Sequence, residues 1–435
     1  MTAGPQTRGV TLDAFTQRYA ARTGGMAASE IRALFAVASR PEVVSLAGGM
    51  PYTAALPLDS VGKLLSDLLA TRGAQALQYG SGQGDPVLRE LICEVMALEG
   101  VVASPDDVVV TVGSQQALDL VTRIFVDPGD IVLAEAPSYV GALGTFASYQ
   151  ADVRHVAMDD DGLQPEALRE AITAADGRAK FLYTIPNFHN PAGVSLSEPR
   201  RDEILAICAE AGLLVLEDNP YGLLGFDGPP VRAIRARGGE NEVLYLGSFS
   251  KTFAPGLRVG WVVAPHAVRE KLVLASEATV LCPPQLNQLA VVDYLTTQDW
   301  QGQVDVFRGV YRERRDALLD ALSAQMPAGT TWTHPRGGFY VWTTLPEGLD
   351  AKVMQPRALS ARVAYVPGIG FYADGSGSRE LRLSYCFPEP DRIREGVRRL
   401  AGVVEQELEL LHTFGPHTAP RAPRGVVRAP APDLA

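Results

Sequence analysis

The feature that most constrains the fold of this chain is a repeated alternation of short β-rich runs with helical stretches. Six apolar runs are predicted strands, and segments such as 115–126 and 198–211 lie between some of them with helical spacing. The predicted strands are 108–112, 131–133, 180–184, 213–216, 243–246 and 260–263. Alternation of this kind favours βαβ units, and therefore a mainly parallel sheet covered by helices on both faces.

The pattern changes after about residue 300. A long charged helix is predicted over 301–325, followed by short strands at 337–342, 364–366 and 381–385 and a last helix near 389–412. These elements predict a smaller α+β domain. We therefore expect a large domain over 51–298 and a small C-terminal domain over 299–412, with residues 1–50 as an N-terminal arm that joins the small domain. Residues 413–435 are rich in Pro, Ala and Arg and are expected to be a disordered tail.

Composition and charge argue against several classes of partner. The 435 residues carry a formal net charge of −11, which disfavours a general nucleic-acid-binding surface. No apolar run approaches the roughly 18 residues that a membrane span needs, and no secretory signal is visible. The four cysteines lie far apart without metal-ligand spacing, which predicts reduced thiols and no metal site. We expect a cytoplasmic protein without membrane or nucleic-acid partners.

Lys251 is oddly placed for a surface charge. It follows the apolar run 243–246 and lies between hydroxyl-bearing residues, with Arg258 nearby. Neighbouring positive charge lowers the pKa of an amine, which suits a Schiff-base nucleophile. The hydroxyl groups and Arg258 in turn suit a phosphate.

Three other positions also carry chemistry at the ends or middles of predicted strands. Asp218 ends an apolar strand, although a solvated Asp at a turn has the same local pattern. Gly113 and Ser114 form a turn that enters a helix, where free backbone N–H groups and the helix dipole favour an anion. Arg382 lies within a short apolar strand, where burial is costly unless a carboxylate meets it. A solvent-facing edge strand is the alternative there.

These segments together resemble the fold-type I pyridoxal-phosphate-dependent aminotransferases of class I/II. The resemblance rests on Ser-x-Ser-Lys251 followed by Gly-x-Arg258-x-Gly-Trp, on Asn190-Pro-Ala-Gly, and on Asp218-x-x-Tyr221, and it covers most of residues 29–412. It implies an α/β fold with a large αβα domain, a mainly parallel sheet and a small α+β domain.

The resemblance also implies a role for each part of the cofactor site. Lys251 would form the Schiff base with pyridoxal 5'-phosphate, and Asp218 would pair with the pyridine nitrogen. Tyr221 and Asn190 would bond the phenolic oxygen of the ring, on which Tyr139 would stack. The phosphate would lie on Ser114, Gln115, Ser248 and Arg258. Tyr79 would reach the phosphate of the neighbouring subunit's site, which implies a homodimer with shared active sites.

Substrate contacts follow from the same resemblance. Arg382, together with Asn190, is expected to meet the α-carboxylate of the amino acid. Ser29 and Arg32 on a short predicted helix, followed by Gly48 and Gly49, resemble the 2-aminoadipate/aromatic aminotransferase subgroup, in which this helix folds over the substrate. Arg32 would pair with an acidic side chain or swing aside for an apolar one, although taken alone it is more typical of a surface helix.

The resemblance implies transamination from an L-amino acid to a 2-oxo acid, with 2-oxoglutarate as the expected acceptor. A pyridoxal-phosphate lyase or racemase on the same fold is the main alternative. A non-catalytic regulator is a remote one, because it requires an N-terminal helix-turn-helix module of about 70 residues. His189 is expected to pack or hydrogen-bond beside the Asn190 turn, and the preferred donor is left open.

Overall fold

The structure, a computed structural model, describes residues 18–26 and 40–415. An eight-stranded sheet occupies its centre, with the strand order β2-β9-β8-β7-β6-β3-β4-β5. These strands are β2 (Val108–Thr111), β3 (Ile131–Ala136), β4 (Asp152–Asp159), β5 (Gly162–Leu163), β6 (Ala179–Thr184), β7 (Leu214–Asp218), β8 (Val243–Ser248) and β9 (Gly260–Val263). Pairs among β4, β3, β6, β7 and β8 are parallel, whereas β9 runs antiparallel to both β2 and β8.

Helices cover both faces of this sheet because its strands are apolar on both sides. Alternate strand residues enter two separate apolar clusters, so that Val132 packs on one face and Leu133 on the other. The helices of this part are α1 (Leu58–Ala76), α2 (Pro86–Ala97), α3 (Ser114–Phe125), α4 (Val140–Ser148), α5 (Pro165–Ala175), α6 (Glu198–Glu210), α7 (His266–Val280) and α8 (Gln285–Thr297).

A smaller sheet follows in the chain, with the strand order β10-β11-β14-β13 and only antiparallel pairs. Its strands are β10 (Thr331–Trp332), β11 (Tyr340–Thr344), β13 (Val366–Pro367) and β14 (Glu380–Ser384). The helices α9 (Trp300–Gln325), α10 (Ala351–Ser360) and α11 (Pro390–Phe414) accompany it. None of the helices in the described part of the chain combines the length and apolar character that a bilayer crossing requires.

A short parallel ladder joins a segment near the N-terminus to a segment in the C-terminal part of the chain. Strand β1 (Val44–Ser45) pairs with β12 (Val363–Ala364), and the carbonyl of Leu46 accepts a hydrogen bond from the backbone of Ser384. The segment that follows β1 is thereby held against β14, beside the carboxyl ends of the parallel strands.

The six strands predicted in the large sheet are confirmed with boundaries within a few residues, and the mainly parallel α/β fold is confirmed. The polar strand β4, the edge strand β5 that pairs with it, and the two-residue β1 were not predicted. The helix expected around Ser29 and Arg32 lies outside the described residues, as does most of the tail expected to be disordered. The helix α11 extends to Phe414, two residues beyond the predicted end.

Candidate active site

A cavity of about 280 Å³ opens where the parallel strands end. Its position is the one that open α/β sheets favour for ligands, since loops diverge there beyond the strand ends. Of the residues predicted for the site, those that line it are Gly49, Ser114, Gln115, Tyr139, Asn190, Asp218, Tyr221, Ser248, Lys251, Arg258 and Arg382. The structure therefore brings predicted residues from seven separate segments to one concave surface.

Lys251 lies in the turn that follows β8, three residues after the strand ends at Ser248, and its amine faces the cavity. Its Nζ donates to the carbonyl oxygen of Gly49 at 3.1 Å and lies 5.5 Å from the ring centre of Phe339. Burial lowers the pKa of Lys251 to about 8, and the guanidinium groups of Arg382 and Arg258 act in the same direction. A neutral amine, which is the nucleophilic form, is therefore accessible near physiological pH.

Asp218, the last residue of β7, offers an unshared oxygen to the cavity wall. Its Oδ2 accepts a hydrogen bond from the Tyr183 hydroxyl at 2.8 Å, whereas its Oδ1 is buried without a hydrogen-bond partner. Burial raises the pKa of Asp218 to about 6, against the opposing effects of Tyr183, His189 and Lys251. A buried carboxylate with a free oxygen is suited to a cationic N–H group.

A set of anion-binding groups converges on another part of the cavity. Helix α3 begins there at Ser114, after Gly113 in a left-handed conformation with φ of 76°. A side chain on Gly113 would collide with the guanidinium group of Arg258, which therefore lies close against the start of the helix. Ser248 and Ser250 share a hydrogen bond of 2.8 Å between their hydroxyls. The helix N-terminus, the hydroxyls and the guanidinium form a cup for a phosphate.

Arg382 in β14 is fully buried and held from several sides. It donates to Asn190 Oδ1 and to the carbonyl oxygen of Ala47, each at 2.8 Å. Its guanidinium carbon lies 4.2 Å from the ring centre of Tyr340 and 5.1 Å from that of Phe371, while its Nε has no hydrogen-bond partner. The edge-strand alternative is therefore wrong, because β14 pairs on both sides with β11 and β13.

Four other predicted residues do not line this cavity. Gly48 lies one residue away from it, and Ser29 and Arg32 lie outside the described residues. Tyr79 is 76% exposed in the single chain. Its expected role in a neighbouring subunit stays a prediction.

The structure also adds residues that the sequence did not single out. Ser250 accepts a hydrogen bond of 3.4 Å from Arg258 and was visible in the Ser-x-Ser-Lys motif, although only Ser248 was assigned a role. Tyr340 lines the cavity but was read only as part of a strand. Met50, Ile185, Pro220 and Pro255 complete the wall, and no local pattern in the sequence distinguishes them from ordinary packing residues.

His189 is buried behind the cavity and hydrogen-bonded, as expected. Its Nε2 lies 3.0 Å from Oε2 of the buried Glu135, and its Nδ1 accepts from the backbone N–H of Ala192 at 3.2 Å. The Nε2 atom is buried beside Glu135 but makes no hydrogen bond of good geometry to it. His189 thus anchors the turn that carries Asn190. In residues 18–26 and 40–415, His, Cys, Asp and Glu side chains form no group that could hold a metal ion.

Comparison with known proteins identifies the enzyme family of this chain. Residues 41–400 match the family model described as aminotransferase class I and II. The chain belongs to the class I and II aminotransferases.

This aminotransferase is similar to an aromatic-amino-acid aminotransferase of Thermococcus litoralis, with 40% identity over 92% of this chain and 96% of that protein. It is 38% identical to a 2-aminoadipate transaminase of Thermus thermophilus over 91% of this chain and 99% of that protein. Among solved structures, a kynurenine aminotransferase of Pyrococcus horikoshii in complex with PMP matches with a TM-score of 0.87 and 38% identity. That match covers 91% of this chain and 99% of the other. The enzyme is a pyridoxal-phosphate-dependent transaminase.

The residues present fit this cofactor. The unpartnered Asp218 Oδ1 meets the need of the ring nitrogen for a buried carboxylate. Lys251 supplies an amine of lowered pKa for the aldehyde, and the cup around Ser114 and Arg258 suits the phosphate.

Proposed function

We propose that this enzyme transfers the amino group of apolar and aromatic L-amino acids to 2-oxoglutarate. The observation that carries the choice of donor is the lining of the cavity. Lys251, Arg258 and Arg382 are the cationic side chains among its described lining residues, and each has another task in the proposed site. Among the residues that the structure describes, the lining leaves no further cation for an acidic side chain, whereas Met50, Ile185 and Tyr340 offer apolar and aromatic surface.

The same arrangement supports a role for each polar residue. Bound pyridoxal phosphate supplies an electron sink that weakens the Cα–H bond of the amino acid. Asp218 would keep a proton on the ring nitrogen, and Tyr221 and Asn190 would contact the phenolic oxygen. Tyr139 would lie against the ring face. Gln115 supports this placement, because its Nε2 is held by Thr145 at 2.8 Å beside Tyr139.

Lys251 would move the proton between the substrate Cα and the cofactor carbon. A lysine can do so when its amine is neutral after release from the cofactor, and the lowered pKa of Lys251 favours that form. No histidine is needed for this step, and His189 faces Glu135 instead.

Arg382 would bind the α-carboxylate of the donor and of the acceptor in turn. Its planar fork matches a carboxylate bidentately, and burial between two aromatic rings fixes its orientation. The acidic side chain of 2-oxoglutarate requires a second cation, which we assign to Arg32 on the segment outside the described residues.

Each active site would take Tyr79 from a second copy of the chain. Leu77 is 75% exposed and Tyr79 76% exposed, and large apolar side chains so exposed next to each other are typical of a covered surface. We also propose the domain division at about residues 51 and 299. A cytoplasmic location is consistent with the free state of all four cysteines.

A donor screen with the purified enzyme and 2-oxoglutarate tests the proposal. We expect glutamate to form with phenylalanine, tyrosine, leucine and 2-aminoadipate, at higher kcat/KM for the apolar donors. The variant Arg32→Gln should depress reaction with 2-aminoadipate and 2-oxoglutarate more than reaction between apolar substrates. Equal loss for all substrates would contradict the role of Arg32. Formation of pyruvate and ammonia without an acceptor would instead favour a lyase.

The variant Lys251→Ala serves as the control for chemistry. It should lose transamination together with the visible absorbance of the bound cofactor, because the covalent link between the two would be absent. A Lys251→Ala enzyme that transaminates normally would refute the assignment of the cofactor lysine.

A further inference from the structure

Tyr340 is a buried residue of the cavity wall that contacts several of the residues assigned above. It is the first residue of β11, the strand that pairs with β14 and places Tyr340 opposite Ser384 in the ladder. Tyr340 is 2% exposed and lines the cavity, with its hydroxyl close to Tyr221. A tyrosine so deeply buried normally needs a partner for its hydroxyl.

The partner of that hydroxyl is Tyr221. The two phenolic oxygens are 3.5 Å apart, and the two rings meet edge to face with centres 6.1 Å apart. In the structure the Tyr221 hydroxyl donates to the Tyr340 oxygen. A phenol has one proton to donate and two lone pairs to accept with. If Tyr221 donates its proton to the ring oxygen of the cofactor instead, the direction of this bond would reverse and Tyr340 would donate its own proton to Tyr221.

The ring of Tyr340 has a separate contact with Arg382. The guanidinium carbon lies 4.2 Å from the centre of the ring, within the range of a cation–π interaction. Phe371 lies on the guanidinium at 5.1 Å, so that Arg382 has aromatic support from two residues. Because the site is buried, this support is stronger than it would be in water.

The hydroxyl of Tyr340 also occupies the space beside Gly49. A Cβ on Gly49 would collide with this oxygen, and the carbonyl of Gly49 accepts the hydrogen bond from Lys251. Tyr340 thus borders the segment that holds the catalytic amine as well as the two groups named above.

We propose that Tyr340 is a positioning residue that couples substrate binding at Arg382 to the hydrogen bond between Tyr221 and the cofactor. This inference rests on the proposed function, since it takes the assigned roles of Arg382 and Tyr221 as given. The hydroxyl strengthens the donation by Tyr221, because hydrogen bonds in a chain polarise one another. The ring fixes the plane of the Arg382 guanidinium for the carboxylate of the substrate.

Two variants separate these contributions. Tyr340→Phe keeps the ring and removes the hydroxyl, whereas Tyr340→Leu removes both. The other ionisable groups that act on Tyr340 and Tyr221 are Arg382, Cys386 and Tyr139, and all three stay unchanged in both variants.

The first readout is the pH titration of the visible absorbance of the cofactor-loaded enzyme, together with the Kd for pyridoxal phosphate. Tyr340→Phe should raise the apparent pKa of this transition by about half a unit or more, because the anionic ring oxygen loses part of its stabilisation. The KM for the amino donor should change by less than about threefold, since the aromatic face under Arg382 remains.

The second readout is the split between KM and kcat. The KM for donors should be roughly tenfold higher in Tyr340→Leu than in Tyr340→Phe, because the Arg382 guanidinium loses its contact with one of two aromatic rings. Tyr365→Phe is the matched control. It removes another buried hydroxyl, which donates to the Ala351 carbonyl at 2.6 Å and lies outside the cavity lining. This control should change thermal stability alone.

The outcomes discriminate between the inference and the proposed function. An unchanged absorbance titration in Tyr340→Phe, or a KM in Tyr340→Leu equal to that of Tyr340→Phe, would overturn the coupling. Equal effects of Tyr340→Phe and Tyr365→Phe on absorbance would do so too, since the role would then be structural. A wild-type enzyme without transamination would refute the proposed function, while the absorbance titration would still decide the role of Tyr340.

Discussion

The carboxyl group of Asp218 should lower the folding stability of the cofactor-free protein and raise that of the cofactor-bound protein. Its pKa is raised from 3.8 to about 6, mainly by burial. An acid with a raised pKa binds its proton more tightly in the folded than in the unfolded chain. Folding stability therefore falls as the pH rises from about 4 to about 6 and stays lower above that range.

The magnitude follows from the size of the pKa shift. A shift from 3.8 to about 6 corresponds to about 3 kcal/mol of lost stability at pH 7, and to about 1 kcal/mol at pH 4.5. In Asp218→Asn the side chain is neutral at every pH, and its amide oxygen can still accept the hydrogen bond from Tyr183. We expect the cofactor-free variant to be more stable than the wild type by up to these amounts.

Urea unfolding of the cofactor-free, phosphate-free wild type and variant at pH 7 and pH 4.5 gives their free energies of unfolding by linear extrapolation. The difference between the two proteins at each pH tests the expected amounts. Asp320→Asn, on the exposed face of α9, is a matched control that removes a carboxylate without burial. With pyridoxal phosphate bound the order should reverse, and the Kd of the cofactor should rise at least about tenfold because the ring nitrogen loses its charged partner. A variant that is less stable at pH 7, or equally changed at both pH values, would show that burial of the charge does not dominate at Asp218.

Three further predictions concern the amine, the carboxylate clamp and the close packing at Gly49. The rate at which pyridoxal phosphate reconstitutes the cofactor-free enzyme should rise with pH through a midpoint near 8, because the Lys251 amine must lose its proton before it reacts. A midpoint near 10 would contradict the lowered pKa of Lys251. Arg382→Lys should raise the donor KM roughly a hundredfold with a smaller change in cofactor Kd, as steady-state kinetics would reveal, because a lysine cannot bind a carboxylate through a planar fork. Gly49→Ala should lower activity strongly, because the added methyl group clashes with the Tyr340 hydroxyl. Tyr340→Phe in the same chain should restore part of the activity, since the next ring atom lies 3.1 Å from the added methyl group. Additive losses in this double-mutant cycle would argue against the clash.

Residues whose role depends on local sequence could be predicted. Asp218 ends the apolar strand β7 and Lys251 follows the apolar strand β8 by three residues, and the strand pattern together with the motif predicted that both lie in one site, where the structure places them. The carboxyl ends of neighbouring parallel strands meet at one edge, so that motifs far apart in sequence were expected to converge there.

Residues whose role depends on distant contacts could not be predicted. Tyr340 reads as a normal strand residue until the structure places its hydroxyl beside Tyr221 and Gly49, which are more than a hundred positions away. Strand β4 was missed for another reason. Only Val156 of its eight residues is buried, so the apolar pattern that signals a strand is weak there.

The link between the two ends of the chain has a consequence for biosynthesis. The carbonyl oxygens of Ala47 and Gly49 bond Arg382 and Lys251, which are separated from them by 335 and 202 positions respectively. The ribosome therefore releases the segment that carries Lys251 long before it releases β14, and the large sheet has time to form before Arg382 is present. A nascent chain that bound pyridoxal phosphate before β14 was synthesised would hold a reactive cofactor without Arg382, the residue proposed to select the substrate. Substrate selection would begin only once the C-terminal strands had formed.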